Sequence, residues 1–499
     1  MREKQEKWYS GKLCKLGNEN VDYRAEIQFD EYNQSHVTVY NIAREWIDKL
    51  NSGDYDSAVL ELENGDYVSI FEFDYQTTYR VRNMECVDCE FILILRSSNT
   101  IKGSKSFLKE HRFSELSFEI TDGHELIGSC PYDLNKGFLE LIEVQKIQIP
   151  IKLESICVNT MLGKLEFIAL PKYHFSKDSF SIGFSHNIVF KPGNPIAVGE
   201  FREILKKVTD LFFVLSGEVV TINKLSLVEY EENTHPNFYE FIGFCNFPKV
   251  NLRTLDNAGA VGTGFKRAEL FKITDFPDLE FALNYWFEHY NALFNAQQAY
   301  GRILFDEEMK SVSVNKFLAA MQTIEGYAQA YADEEQELAE FYLQKQKIIE
   351  QLKEPSDKEL VELGLGLSGI TFRRALENYL LEGINYFEQI SKSSFHKNYK
   401  ELINHIVNDR NFYTHSSNRT KAELSFDEAI QISVICKEIY RILILGRLGV
   451  SKELIHCRTM HNYKVVKLLS DLFGIKIEIH NKLTAFDNDM WHFSDSKEN

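Results

Sequence analysis

The feature that most limits how this chain folds is a change of apolar rhythm near residue 270. Before it, short runs alternate apolar and polar residues; after it, apolar residues recur at spacings of three and four. A period of two belongs to a strand and one near 3.6 to a helix, so the two halves build different cores. The pattern predicts an α+β chain: a β-rich N-terminal domain followed by an all-α helical bundle. Segments 37–40, 68–73, 91–95, 117–120, 147–151, 164–168 and 179–184 read as strands, rich in β-branched and aromatic residues and punctuated by Gly, Asn and Asp. One helix interrupts them, carried by Phe201, Leu205, Val208, Leu211 and Phe212; Ser216 and Gly217 end it, and 219–222 returns to strand.

A Gly-rich stretch, 256–265, has little apolar periodicity and reads as a loop or linker. Helical periodicity then covers 281–300, 317–331, 335–352, 372–390, 395–410 and 426–447. The expected organisation is a β-rich domain over 1–265, a helical domain over 275–470 and a C-terminal tail over 471–499, with one strand-like piece at 475–479.

Composition excludes several classes. A formal net charge of −18 rules out a general nucleic-acid coat, because phosphate binding rests on Lys and Arg. Contact with RNA therefore requires a local basic surface. The charged N-terminus lacks the apolar stretch of a signal peptide, and no apolar run approaches a membrane span. Eight cysteines scattered through 499 residues do not resemble a disulfide framework. These features point to a cytoplasmic protein with reduced thiols and no membrane partner.

The chemistry-bearing string is Arg410-Asn411-Phe412-Tyr413-Thr414-His415. Phe395, Tyr399, Leu402, Ile403, Ile406 and Val407 form an amphipathic stripe that Arg410 continues, which predicts a partnered arginine at the bundle surface. Ser416, Ser417 and Asn418 break the helix. Ser425 and Glu428 then match a capping box that opens a second apolar helix, so the motif sits at the bend of a hairpin.

A histidine titrating near neutral pH can take the proton of a ribose 2′-OH, which then attacks the adjacent phosphorus. An arginine offers a planar fork of donors for the charge that develops on the phosphate oxygens. Such a reaction needs no metal and no cofactor, and it is restricted to RNA. Five residues of helix turn through about 140°. Either the helix deforms at 411–414, or two chains pool their motifs across a two-fold axis.

From Lys392 to Lys421 there are six basic residues and two acidic ones. Lys397, Lys400, Arg419 and Lys421 are candidate RNA contacts, with Tyr413 as a base-stacking ring. Tyr399 and Phe412 read as core. The spacing alone is near chance in a chain with 14 histidines.

Its context adds weight. An Arg-Asn-x-x-x-His string between two amphipathic helices resembles the HEPN superfamily of ribonucleases, and the chain more narrowly resembles the ApeA-type HEPN proteins of bacterial anti-phage defence. Segment 107–118, the helix and strand over 201–222, and segment 317–327 carry the further likeness. The resemblance implies Arg410 and His415 as catalytic residues, Asn411 as the group that orients them, and Glu325 as a supporting carboxylate. It also implies a homodimer, RNA (tRNA included) cut to a 2′,3′-cyclic phosphate and a 5′-OH, and abortive infection set off by a phage-derived activator. A non-catalytic HEPN-type module that binds RNA or protein is the alternative.

Other signals are weaker. Gly364-Leu-Gly-Leu-Ser-Gly369 fits a dinucleotide pattern but lacks the strand that such a site needs before it. Cys86 and Cys89 have zinc spacing without a second pair. His456, Cys457 and His461 form a still looser cluster, and no Gly-Lys-Ser/Thr string is present.

Overall fold

The computed structural model describes residues 8–30, 34–53, 55–83, 88–97, 99–103, 111–129, 155–175, 180–230, 236–244, 270–311, 313–331, 334–364, 372–387, 392–415, 422–460 and 462–473. Segments 147–151, 256–265 and 475–479 and the tail beyond 473 fall outside them. Contacts divide the chain into two compact units. The first comprises Met1–Asn291, Leu304–Ser311 and Arg447–Val450; the second comprises Ala292–Ile303, Val312–Gly446 and Ser451–Asn499.

In the first unit, fourteen strands among the described residues join in one antiparallel sheet. Across the sheet their order is Ser155–Thr160, Gly163–Phe175, Phe180–Pro192, Glu115–Ile120, Ile222–Glu229, Asn237–Phe244, Asn99–Gly103, Tyr67–Phe71, Ser57–Leu62, Trp8–Leu16, Glu19–Phe29, Ser35–Tyr40, Asp88–Ser97 and Asp74–Asn83. Alternation decides which side chains enter the core. In Ser35–Tyr40, Val37 and Val39 are fully buried while His36 and Thr38 are half-buried. Leu13, Ile27, Leu60, Ile70, Leu93 and Leu95 join them, covered by Trp46, Ile47 and Leu50 of the helix Arg44–Asn51.

A second core forms around the helix Val198–Ser216. Phe201, Leu205, Val208, Leu211 and Phe212 are buried, as their spacing requires, and each contributes about 1.5–3 kcal/mol by leaving water. Phe190 meets Phe201 and Phe167 meets Phe212 at ring distances of 6.2 and 6.5 Å. Gly217, at φ +71°, ends the helix as expected. The following strand starts later than the sequence suggests, at Ile222 rather than 219. The Ser216 hydroxyl bonds the backbone of Glu218 at both N–H and C=O, which holds this stretch as a helix-end loop.

Most helices of the second half lie where the apolar rhythm puts them, but Leu279–Glu308 ends eight residues beyond the expected 300, and Pro355–Gly364, Lys452–Met460 and Tyr463–Phe473 are helices that the spacing does not predict. Leu279–Glu308 begins where Asp278 accepts the N–H of Phe281 at 2.9 Å. Val314–Tyr331, Glu334–Gln351 and Phe426–Arg447 match their expected spans to within three residues. Segment 372–390 is not one helix. Phe372–Ala375 passes into a π-helical turn, Leu376–Leu380, then Leu381–Ile384 and a 3-10 turn, Asn385–Phe387. The Tyr399 hydroxyl donates to the carbonyls of Leu376 and Glu377 at 3.1 and 2.9 Å, so an outside donor enters the ladder where it widens.

Gly326 marks a close helix approach within the second unit. A Cβ there would lie 2.9 Å from the Ala296 Cβ and 3.0 Å from its backbone nitrogen. Helix propensity alone favours Ala over Gly by about 1 kcal/mol, but overpacking costs about 1–3 kcal/mol. Gly326→Ala is therefore expected to lower the thermal midpoint; a stabilised variant in a melting experiment would refute the close approach.

Candidate active site

The motif lies on the helix Lys392–His415, which runs one turn beyond the apolar stripe that predicts it. Ile403 and Ile406 are fully buried and Tyr399 nearly so. Burial pushes the Tyr399 hydroxyl well above its ordinary titration range. Asp409, the next position on this face, is only 1% exposed. Its Oδ1 accepts the N–H of Glu423 at 2.7 Å and its Oδ2 that of Leu424 at 2.9 Å. A buried carboxylate is costly unless both oxygens are bonded, and here both are. The two amides precede the helix Phe426–Arg447, whose Ser425–Glu428 capping box forms as expected. Asp409 thus ties the motif helix to the start of the next helix.

Arg410 follows at the margin of the stripe, its side chain 23% exposed. The partner that its position demands is Glu325, from the helix Val314–Tyr331: Nη2 lies 3.0 Å from Oε2 and 3.3 Å from Oε1. Nη1 makes a long bond of 3.4 Å to Asn411 Oδ1, and the guanidinium lies over the Phe372 ring, 5.1 Å from its centroid. A half-exposed ion pair contributes at most about 1 kcal/mol to stability. Its larger effect is to fix where the arginine's remaining donors lie.

His415 is the last residue of the same helix. The backbone stays α-helical through 411–414, with Thr414 Oγ1 bonded to the Arg410 carbonyl at 2.7 Å. Of the two alternatives that the sequence leaves open, local deformation is not what the structure has. Positions 410 and 415 remain about 140° apart around the helix.

The expected RNA contacts fare differently. Lys400 is exposed on the motif helix. Tyr413 is half-buried, packed T-shaped against Phe317 at 6.2 Å and Phe412 at 5.1 Å. Burial, then the Asp409 charge, raises its hydroxyl's pKa. Lys397 belongs to the helix, and Arg419 and Lys421 lie outside the described residues. Sequence reasoning overlooks two residues, Asp409 and Phe372. An acid on an otherwise apolar stripe signals the first; nothing in the sequence marks the second.

The weaker signals gain no support. Among the described residues no group of three His, Cys, Asp or Glu side chains is placed to hold a metal. Cys86 lies outside the described residues, and Cys89 belongs to the strand Asp88–Ser97. His456 is bonded to the Tyr386 carbonyl at 2.8 Å. Gly364 ends a helix, Pro355–Gly364, instead of following a strand, and 365–369 lie outside the described residues. Among the described residues no helix is long and apolar enough to cross a membrane.

A capped helical hairpin carrying Arg-x4-His, behind a β-rich region, defines a HEPN-type domain, and residues 318–454 match the family model described as Apea-like HEPN. Residues 7–286, more than half of the chain, match ApeA N-terminal domain 1, so the chain belongs to the ApeA-type HEPN family. Membership supports a HEPN nuclease, with anti-phage defence as its setting. Neither the curated proteins nor the solved structures include a match.

The Asp409 bridge makes a measurable claim. Asp409→Asn leaves one of the two amides facing a donor instead of an acceptor, which costs about 1–3 kcal/mol. The more exposed Asn408→Ala, which releases only the Glu423 carboxylate, is expected to stay within about 0.5 kcal/mol. Urea unfolding of the two variants checks the ranking.

Proposed function

We propose that this protein is a metal-independent endoribonuclease that cuts RNA, tRNA being one candidate, during abortive infection. The observation that carries the reading is an arginine bracketed by Glu325 and Phe372, five residues before a histidine, in a domain of HEPN type.

In this reading His415 takes the proton of a ribose 2′-OH, and the freed oxygen attacks the adjacent phosphorus. The bond from phosphorus to the 5′ oxygen breaks, and that oxygen leaves with a proton from a second histidine or from water. The products are a 2′,3′-cyclic phosphate and a 5′-OH. Arg410 stabilises the charge on the equatorial oxygens, Asn411 helps to orient it, and Glu325 keeps it in place. Because positions 410 and 415 diverge around one helix, the reading takes the working unit to be a homodimer, with each site built from both copies. Lys397, Lys400, Arg419 and Lys421 supply the phosphate contacts that an acidic chain otherwise lacks. The β-rich domain, over 1–265, is the proposed sensor of a phage-derived activator, acting in the cytoplasm upon the helical domain, 275–470.

A second reading has one observation in its favour. Arg410 already holds a carboxylate, as it would in a non-catalytic module that binds RNA or protein.

The test incubates the full chain with RNA in the presence of EDTA and maps the ends. Cleavage to cyclic phosphate and 5′-OH is expected, and Arg410→Ala or His415→Ala should each reduce it at least about 100-fold. Glu325→Gln should lower the rate about tenfold by loosening Arg410. RNA that shifts in a gel without changing length would establish the binding module, and loss of activity in EDTA would show a metal mechanism.

A further inference from the structure

We infer that Phe372 is a positioning residue for Arg410: the guanidinium carbon lies over its ring, while Glu325 holds one terminal nitrogen. The inference rests on the ribonuclease reading of the same site.

A guanidinium ion is planar, with five N–H donors spread around its rim and two faces that donate nothing. One carboxylate fixes one edge but leaves the plane free to swing about that contact. An aromatic face removes this freedom, because the cation is attracted to the ring's negative face. In this protein the Arg410 carbon Cζ lies 5.1 Å from the Phe372 centroid while Nη2 is 3.0 Å from Glu325. The two contacts thus come from different elements, Val314–Tyr331 and Phe372–Ala375. Of the donors not turned to Glu325, Nη1 also makes the long bond to Asn411 Oδ1; the others are those that a phosphate would meet.

The ring is itself anchored to the motif helix. Arg373, its neighbour, donates to Asn404 Oδ1 at 2.5 Å. The Tyr399 hydroxyl holds the carbonyls of Leu376 and Glu377 on the turn that follows. Asn404 and Tyr399 both belong to Lys392–His415, so the helix that carries Arg410 also holds the segment that carries the ring. The π-helical turn, Leu376–Leu380, begins four residues after Phe372. Such turns concentrate at functional sites because they displace one side chain without breaking the helix. Phe372 is half-buried and not part of the fully buried core, so Phe372→Leu removes the ring without emptying a fully buried position.

The test measures steady-state cleavage of a 5′-labelled mixed-sequence oligoribonucleotide by the full chain and its variants, over a range of substrate concentrations. Phe372→Leu keeps the apolar contact and removes the aromatic face; it is expected to lower kcat about tenfold with KM changed less than about twofold. Phe372→Tyr restores a ring and should return kcat to within about threefold of wild type. Phe372→Leu with wild-type kcat, or Phe372→Tyr no better than Phe372→Leu, would overturn the inference. An NMR measurement separates this failure from failure of the ribonuclease reading. The Arg410 guanidinium resonances should be shifted upfield by the ring in the wild type and return to ordinary positions in Phe372→Leu. If the wild type cuts no RNA, the ribonuclease reading falls, and an Arg410 resonance indifferent to Phe372→Leu overturns the placement as well.

Discussion

A carboxylate taken out of water must be met on both oxygens or it destabilises the fold around it. Asp409 is met by two backbone amides of the bend that leads into the next helix. Those amides precede the helix Phe426–Arg447, whose own start is capped by Ser425 and Glu428. One side chain thereby closes the base of the hairpin that contains Arg410, Asn411 and His415. The geometry of the candidate site follows from that closure, because Arg410 is the residue immediately next to it.

The first unit shows the same economy. Asp210, on the buried helix Val198–Ser216, lies 2.8 Å from Lys206 Nζ and receives the Tyr290 hydroxyl at 2.5 Å. Burial pushes the Asp210 carboxyl up, with Lys206 pulling it back, and burial pushes the Tyr290 hydroxyl up as well. Trp286 adds a bond from its indole N–H to the Lys207 carbonyl at 2.8 Å. Polar groups in a dry interface fix register more strictly than apolar packing does, because a slip leaves them unpaired. Here they pin the start of Leu279–Glu308 to the helix beside the sheet.

Much of this is legible in the sequence. The two periodicities separate sheet from bundle, and the stripe through Ile403 and Ile406 announces that Arg410 must have a partner. Glu325 came from family resemblance, since nothing local links it to a residue 85 positions away. The strands Trp8–Leu16, Glu19–Phe29 and Ser57–Leu62 are not among those read from the sequence, although Val21, Tyr23, Ala25, Ile27 and Phe29 alternate with polar residues as a half-solvated strand's do. The broken helix after Phe372, by contrast, is invisible there. It depends on a hydroxyl from Tyr399, and periodicity within a segment carries no information about donors that arrive from elsewhere.

That break also has a consequence for the family's history. A π-helical turn is what remains when a helix accommodates one residue more than its α-helical ladder requires, the surplus bulging at a single place while both flanks keep their neighbours. A variant of this chain lacking one residue of Leu376–Leu380 would carry a plain helix there, with Phe372 on one side and Gly383 on the other still in step. The turn is therefore a place where length can change in evolution without disturbing the packing on either side.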